Sequence, residues 1–388
     1  MIQADFNGVH GMKAKNTIDS LFGAIKGMSA AEQSVLAERI MRMLAEPQAV
    51  KKNMCYDLIA EVGVEKPDCP HCSAKASLGN IIKRGKCRGS QRYGCKACGR
   101  YFVPTTNTAF EHSRKSADTW RKFIKMTISG NSLHECAAEC SIAYQTAFTW
   151  RHKVLNAFRV HQATTVMSGH VEMDEMLIPI SYKGNHVKGA FHARRVKKSD
   201  EDSGLPRNAF KRGSDNKSLS SKNKACVVCL VEDGNKAFFG AVPGTGYMQP
   251  NMLDAVVGKH VKKESALMLV DQYRVTLNYL EENNYKYLKL ASNTSENPSD
   301  HKPEIIGEFH LQHVNALHRH IRRFLAGYCG VSSKYLENYI SLFMWLKNMK
   351  MQKQRKKLET TSINRLAMAD CYISRKALEA RPAVPRCA

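Results

Sequence analysis

An apolar strand candidate that carries three carboxylates constrains the fold of this chain most strongly. It runs from Val171 to Ile180 and contains Glu172, Asp174 and Glu175. Because successive side chains of a strand point to opposite faces of a sheet, Glu172 and Asp174 share one face and Glu175 lies on the other. The pattern therefore predicts a sheet with at least one carboxylate on its functional surface.

A second apolar run, Ala266–Val270, ends directly in Asp271. Ligands of open α/β sheets bind outside the carboxyl ends of the strands. Two aspartates that different strands bring to one place are what a divalent-metal site for phosphoryl transfer requires. We therefore predict that Asp174 and Asp271 meet at such a site.

The charge of the chain indicates its partner. Its 388 residues include 59 Lys and Arg against 35 Asp and Glu, a formal net charge of +24. A surplus spread along the whole chain favours binding to a polyanion, because nucleic acid releases counterions when cations bind it. No apolar run approaches the roughly 18 residues of a membrane span, and residues 1–8 lack the apolar centre of a signal peptide. We expect a cytoplasmic, nucleoid-associated protein without membrane contact, whose cysteines are reduced.

Two Cys-x-x-Cys pairs predict a structural zinc ion. Cys69 and Cys72 form the first pair, and Cys95 and Cys98 form the second. Each pair can present two thiolates to one tetrahedral ion, and the residues between them can form the β-hairpin of a zinc ribbon. The alternatives for these pairs are a redox-active pair or a coincidental spacing of cysteines. Cys87 is interpreted as a spare thiol. Basic residues crowd this segment and predict phosphate contacts: Lys83, Arg84, Lys86, Arg88, Arg92, Lys96 and Arg100.

Residues 116–158 have the pattern of three helices. Ser132 and Glu135 have the spacing of a capping box at the start of the second helix, and the third helix follows a short turn at residues 140–142. This layout predicts a helix-turn-helix in which Tyr144, Gln145 and Arg151 contact a DNA groove. A helical hairpin that binds no DNA is the alternative.

The following segments alternate between strands and helices. After the Asp174 strand and a flexible basic insertion, a hairpin is predicted over residues 225–242, then a helix at 249–262, the Asp271 strand, another helix, and a strand at 285–290. This order fits an RNase H-like mixed sheet flanked by helices. The predicted domains are a helical region at 1–64, a zinc ribbon at 65–106, a helix-turn-helix domain at 107–165, an RNase H-like domain at 166–349 with a basic insertion at 182–224, and a basic tail at 350–388.

A family resemblance rests on these motifs together. The zinc ribbon, the helix-turn-helix, the segment HVEMDEM at residues 170–176 and the basic helix at 313–324 stand in the order found in bacterial transposases. The chain resembles insertion-sequence transposases of the fifteen-ninety-five type, relatives of the DDE recombinases, from about residue 67 to 345.

The resemblance implies a DNA transposase that binds the terminal inverted repeats of its element. It implies that Asp174, Asp271 and His318 bind catalytic Mg²⁺ or Mn²⁺, and that Arg322 contacts the substrate phosphate. It also implies metal-dependent strand cleavage and transfer to target DNA, by a homodimer or higher homo-oligomer on double-stranded DNA.

The chain departs from the family pattern at two positions, and alternatives stay open. His318 stands where relatives often carry Glu, and Gln272 stands where a small residue is expected. Asn315 and Glu308 are the other candidates for the third ligand, Glu175 is the alternative first acid, and Glu172 is a candidate supporting residue. The alternative functions are a domesticated transposase that only binds DNA and a nuclease that cuts without joining.

Overall fold

The structure is a computed structural model of the chain. It describes residues 26–45, 67–87, 90–181, 183, 224–234, 236–291, 303–328, 330–351, 357–367 and 370–382. Residues 1–25 and 46–64 of the predicted helical region, Arg88, residues 184–223 of the basic insertion and the last six residues lie outside the described residues.

The chain divides into two compact units, Met1–Asn53 and Met54–Ala388. In the first unit, helix α1 spans Ala30–Ala45. Ser29 caps this helix, since its Oγ accepts from the Glu32 N–H while its own N–H donates to the Glu32 carboxylate at 2.9 Å. The reciprocal pair satisfies two N–H groups that have no partner within the helix.

The second unit begins with a small three-stranded antiparallel sheet. Its strands are β1 at Ile81–Cys87, β2 at Ser90–Cys95 and β3 at Tyr101–Phe102, in the order β1-β2-β3. The predicted hairpin between the two cysteine pairs is confirmed. Its buried cluster consists of only five side chains, so apolar burial alone gives this sheet little stability: Cys69, Ile81, Tyr93, Cys95 and Phe102.

Three helices follow, also as predicted: α2 at Ala117–Ile128, α3 at Leu133–Glu139 and α4 at Tyr144–Gln162. Ser132 and Glu135 form the predicted capping box at the start of α3. Trp120 of α2 stacks on Trp150 of α4 with ring centroids 3.7 Å apart. This aromatic pair lies at the centre of the helical core.

A five-stranded mixed sheet forms the centre of the second unit. The strands are β4 (Met167–Pro179), β5 (Lys224–Glu232), β6 (Ala237–Thr245), β7 (Val261–Val270) and β8 (Lys286–Lys289), in the order β6-β5-β4-β7-β8. β4, β5 and β6 pair antiparallel, whereas β7 pairs parallel with β4 and β8. The predicted mixed α/β architecture and element order are confirmed.

The crossovers of this sheet are helical. Helix α5 (Pro250–Leu253) continues into a π-helical turn at Asp254–Gly258 and precedes β7, and α6 (Arg274–Glu282) connects β7 to β8. The helix predicted to reach Lys262 ends earlier. Val261 is instead buried and already pairs with Met167 of β4, so strand pairing takes over at that point.

Helices cover both faces of the sheet. Met173 of β4 packs with α5 and α6, and Met176 packs on the opposite side with two later helices. These are α7 (Gln312–Ala326) and α8 (Leu336–Met351). The predicted period-two alternation of β4 is therefore confirmed, and α7 lies on the face that carries Glu172 and Asp174.

Helix α8 is apolar on two sides because it joins two cores. Ile340 and Met344 pack on the sheet, whereas Leu342 and Trp345 pack among the helices α2 to α4. No helix in the described part of the chain is both long enough and apolar enough to cross a membrane, and this includes α8.

The predicted basic tail contains two helices, of which the first packs in the helical core. They are α9 at Leu358–Leu366 and α10 at Arg375–Glu379. Leu366 is fully buried and its carbonyl accepts from the Ala109 N–H at 3.1 Å. Asn156 of α4 donates to the Cys371 carbonyl at 3.0 Å. The segment therefore completes the core and is more than an appendage.

This packing can be tested with Leu366→Ala. Removing a fully buried leucine should lower the free energy of unfolding by about 2–5 kcal/mol, because it leaves a cavity between α2, α4 and α9. The exposed Asn364→Ala on the same helix is the control and should change stability by less than about 0.5 kcal/mol. Equal effects in urea unfolding experiments would show that α9 does not contribute to the core.

Candidate functional site

The four predicted zinc ligands lie together in the small sheet. The Sγ atoms of Cys69, Cys72, Cys95 and Cys98 all lie within 4.8 Å of one another, and those of Cys69–Cys98 and Cys72–Cys95 are each 3.7 Å apart. A tetrahedral zinc ion with Zn–S bonds of about 2.3 Å places its sulfurs about 3.8 Å apart. The cluster therefore fits zinc, and it can bind this ion.

The backbone around Cys95 also favours the thiolate of this residue. The Cys98 and Ala97 N–H groups donate to the Cys95 sulfur and lower the pKa of this thiol to about 7, against an opposing effect of burial. Thiolate is the form that binds zinc. Cys87 is an exposed free thiol on β1 outside the cluster, in agreement with its interpretation as a spare cysteine.

Asp174 and Asp271 are brought together by two parallel strands. Glu172 of β4 pairs with Leu269 of β7. Two residues further along the same register, Asp174 stands beside Asp271, just past the end of β7. The Asp271 carboxylate accepts from the Tyr273 N–H at 3.0 Å, so this turn fixes its orientation.

The electrostatics of this pair are unfavourable without a cation. Burial raises the pKa of Asp174 to about 7, and the negative charges of Glu175 and Asp271 add to this effect. Burial and the Asp271 charge also raise the pKa of Glu175. A bound divalent ion would relieve this repulsion, so the donor set fits Mg²⁺ or Mn²⁺.

His318 lies on α7 directly over Asp174. Its Nδ1 is 3.7 Å from the Asp174 carboxylate, and the side chain is 6% exposed. Its Nε2 is buried without a hydrogen-bond partner among the described residues. Burial, together with the Arg322 charge, lowers the pKa of His318 to about 4. Neutral imidazole is the ligand form, so His318 remains able to bind metal well below pH 6.5, the ordinary pKa of a histidine.

The other predicted residues of this region differ in position. Arg322 is exposed on α7, and its charge acts on both Asp174 and His318. Asn315 is exposed on the same helix. Glu308 lies elsewhere, in a cavity beside Glu172. Of the three candidates for the third ligand, His318 is the one whose ring lies against the Asp174 carboxylate.

The predicted groove contacts on α4 divide into two groups. Tyr144 and Gln145 are exposed at the start of the helix. Arg151 is 1% exposed, and its guanidinium donates to the Asn131 carbonyl at 2.7 Å and to the Cys136 sulfur. Arg151 thus ties α4 to α3, and the structure does not place it with the two exposed residues.

The basic residues of the four-cysteine unit face solvent. This unit, residues 67–102, presents six exposed cations on its strands and second cysteine loop: Lys83, Arg84, Lys86, Arg92, Lys96 and Arg100. Arg92 also lies over the Tyr101 ring, 5.1 Å from its centroid. A charged surface with an exposed aromatic ring is suited to contact a nucleic-acid backbone.

One further cluster was missed by sequence reasoning. Glu172, His310 and His313 place one potential ligand atom each within 4.8 Å of the others. In the sequence, only the His-x-x-His spacing indicates this cluster. This spacing is a weak indication of a metal site unless it is known that α7 begins against β4 at Glu172.

Comparisons with known proteins give a partial answer. No family model matches the chain, and no solved structure matches it. A protein of Halobacterium salinarum (strain ATCC 700922 / JCM 11081 / NRC-1), described as "Uncharacterized protein in transposable element ISH50", is 32% identical over 117 residues. The match covers 30% of this chain and 38% of that relative. This similarity supports the prediction of an insertion-sequence protein.

The cysteine cluster is tested by Cys95→Ser. We expect this variant to lose the zinc of the four-cysteine unit, because three thiolates and a hydroxyl bind zinc far more weakly than four thiolates, and metal binding supplies much of the folding energy of so small a core. Zinc is measured by elemental analysis after gel filtration. Cys87→Ser, on the same sheet, is the control and should keep its zinc. Retention of this zinc by Cys95→Ser would contradict the assignment.

The carboxylate cluster is tested by Asp174→Asn. Because the pKa of Asp174 is raised when the chain folds, the native state binds more protons than the unfolded state, and stability falls as pH rises from about 4 to 7. At pH 8, without Mg²⁺ or Mn²⁺, the variant should be more stable than the parent by about 1–3 kcal/mol. Mn²⁺ should raise the Tm of the parent by more than that of the variant.

Asp118→Asn is the matched control for this experiment, since Asp118 is exposed and lies outside the cluster. It should leave the pH dependence and the Mn²⁺ response of the parent intact. A variant Asp174→Asn that keeps the full Mn²⁺ response would show that Asp174 does not bind the ion.

Proposed function

We propose that the chain is a DNA transposase that cleaves and joins strands with divalent metal ions held by Asp174, Asp271 and His318. The observation that carries this proposal is the parallel register of β4 and β7, which brings the two aspartates together under α7. The similarity to a protein of a transposable element supports the same conclusion.

The sheet supports an RNase H-like assignment. Its first three strands form an antiparallel meander, and β7 and β8 then add in parallel beside β4. The first acid therefore lies on the central strand and the second lies at the end of its parallel neighbour. Such an arrangement gives two carboxylates to one site from separate strands.

The DNA-binding surfaces are proposed from exposed residues. The four-cysteine unit, as a zinc ribbon, would contact phosphates through its six cations. The α3–α4 pair, as a helix-turn-helix, would offer Tyr144 and Gln145 to the terminal inverted repeats. Arg151 would act by holding α4 against α3 and not by touching DNA. The net charge of +24 favours this partner.

The chain's own residues would prepare the strand for attack. Arg322 is placed to neutralise the scissile phosphate beside Asp174, and buried His318 stays neutral, so it offers a nitrogen lone pair and adds no charge. When bound, the divalent ions supply Lewis-acid polarisation of the phosphate and activation of the attacking water. Asn315 is exposed on the same helix and is proposed to contact the substrate.

Strand cleavage tests the proposed function. Asp174→Asn and Asp271→Asn should each reduce nicking of DNA that carries the element ends by more than about 100-fold, because each loses several kcal/mol of metal-dependent stabilisation. Binding to the same DNA should remain within a few-fold. Nicked and joined products are measured on gels with Mg²⁺ or Mn²⁺.

His318 variants provide the comparison within this experiment. His318→Ala should be inactive, whereas His318→Glu should retain cleavage with a preference moved from Mn²⁺ toward Mg²⁺, since a carboxylate is the harder ligand. Specific binding of the parent without any cleavage would instead support a DNA-binding protein that has lost catalysis. Cleavage without joined products would support a nuclease.

A further inference from the structure

The cluster of Glu172, His310 and His313 lies on the same sheet face as Asp174 but toward the other end of α7. Glu172 is two residues before Asp174, which on a strand is about 7 Å away. His313 is in the first turn of α7, whereas His318, beside Asp174, is more than one turn further along. The two groups therefore have separate donor atoms.

The donor atoms of this cluster converge on one carboxylate oxygen. The Nδ1 atom of His313 lies 2.5 Å from Oε1 of Glu172, and that of His310 lies 3.9 Å from the same oxygen. Ligands of a tetrahedral zinc ion lie about 3.3 Å apart, given Zn–N and Zn–O bonds of about 2.0–2.1 Å. Shifts of less than about 1 Å would thus bring the three atoms around one ion.

The other oxygen of Glu172 keeps this group in place. Oε2 accepts from the Val314 N–H at 3.0 Å, and the Glu172 side chain is only 5% exposed. Because this bond leaves Oε1 free to face the imidazoles, the carboxylate can anchor the helix and bind an ion at the same time. A ligand held by such an outer hydrogen bond is typical of metal sites.

A cavity gives access to the cluster. It has a volume of about 460 Å³, and Glu172, His313, His170, Asp233 and Glu308 line it. Gly234 at its wall has φ of +60°, and a Cβ there would lie 3.4 Å from the His313 ring. The wall thus comes close to the imidazole without covering it, and a water molecule or carboxylate can complete the coordination.

We propose that Glu172, His310 and His313 form a further metal site, for a divalent transition metal of which Zn²⁺ is the best representative. Two imidazoles and one carboxylate suit Zn²⁺ better than Mg²⁺, which prefers oxygen ligands. The ion takes the place of the Glu172–His313 hydrogen bond, and the His313 proton moves from Nδ1 to Nε2. It also takes the place of the long hydrogen bond that His310 Nδ1 accepts from the Gln312 N–H at 3.3 Å. It joins β4, the loop before α7 and the first turn of α7. This site does not depend on the proposed transposase activity.

The proposal is tested by zinc content of the full chain after equilibration with Zn²⁺ and gel filtration. The parent should hold two zinc ions, one of them in the four-cysteine unit. His310→Gln and His313→Gln should each hold one, whereas the exposed His134→Gln of α3 should hold two. The zinc that remains in the first two variants also shows that the four-cysteine unit is still folded.

The Asp174–Asp271 site must be distinguished, because it can also take up zinc. Asp271→Asn should therefore still hold two ions. One zinc in the parent, or two in both His310→Gln and His313→Gln, would overturn the proposal. If Asp271→Asn loses the second ion and His310→Gln keeps it, this zinc belongs to the carboxylate pair. That result would also overturn the proposal.

Discussion

The bond between Glu172 and the start of α7 is the interaction on which the site depends. The first N–H groups of a helix have no partner within it, and the N-cap residue Leu311 provides no side-chain acceptor. Glu172 supplies one from the sheet, since its carboxylate accepts from the Val314 N–H. A negative charge at a helix N-terminus is also favoured by the helix dipole. This contact fixes the distance and rotation of α7 relative to β4, and the position of His318 over Asp174 follows from it.

The site itself is electrostatically unfavourable, and the core offsets this cost. Asp174 is held beside Asp271 and Glu175 with its pKa raised to about 7, so the folded chain keeps carboxylates together that would separate in water. The apolar side chains on both faces of the sheet hold these strands in register. Stored repulsion of this kind is characteristic of sites that bind cations or perform chemistry. It is also the reason why neutralising Asp174 is expected to stabilise the ion-free protein.

Local patterns predicted those parts of the structure that depend on neighbouring residues. The period-two alternation of β4, the capping box at Ser132 and the hairpin between the cysteine pairs each have a signal within a few residues, and each is confirmed. Parallel placement of Asp271 beside Asp174 was also predictable, because apolar strands that alternate with helices pair in parallel. The roles of the predicted site residues remain predictions, since their position alone does not establish a reaction.

Features that depend on distant packing could not be predicted in the same way. Arg151 has a side chain of the type that contacts a DNA groove. However, α3 and α8 enclose α4, and the Arg151 guanidinium donates to the Asn131 carbonyl instead. Helix α9 looked like part of a basic tail, yet Leu366 enters the helical core. Glu172 and His313 are 141 residues apart, and no local pattern connects them.

Under the proposed function, the charge distribution of this chain would link metal binding to DNA binding. Most of the surplus of cations lies outside the site, whereas Glu172, Asp174, Glu175 and Asp271 gather on adjacent strands. A DNA phosphate drawn to the exposed cations would meet repulsion at this acidic centre, which Arg322 alone offsets only in part. A divalent ion offsets two of these negative charges, so it would ease the approach of the phosphate. By thermodynamic linkage, DNA placed there must in turn strengthen ion binding by the same factor. Under the proposed function, the ion and the strand would therefore assemble the site together, and the chain would bind each of them more weakly alone than in the presence of the other.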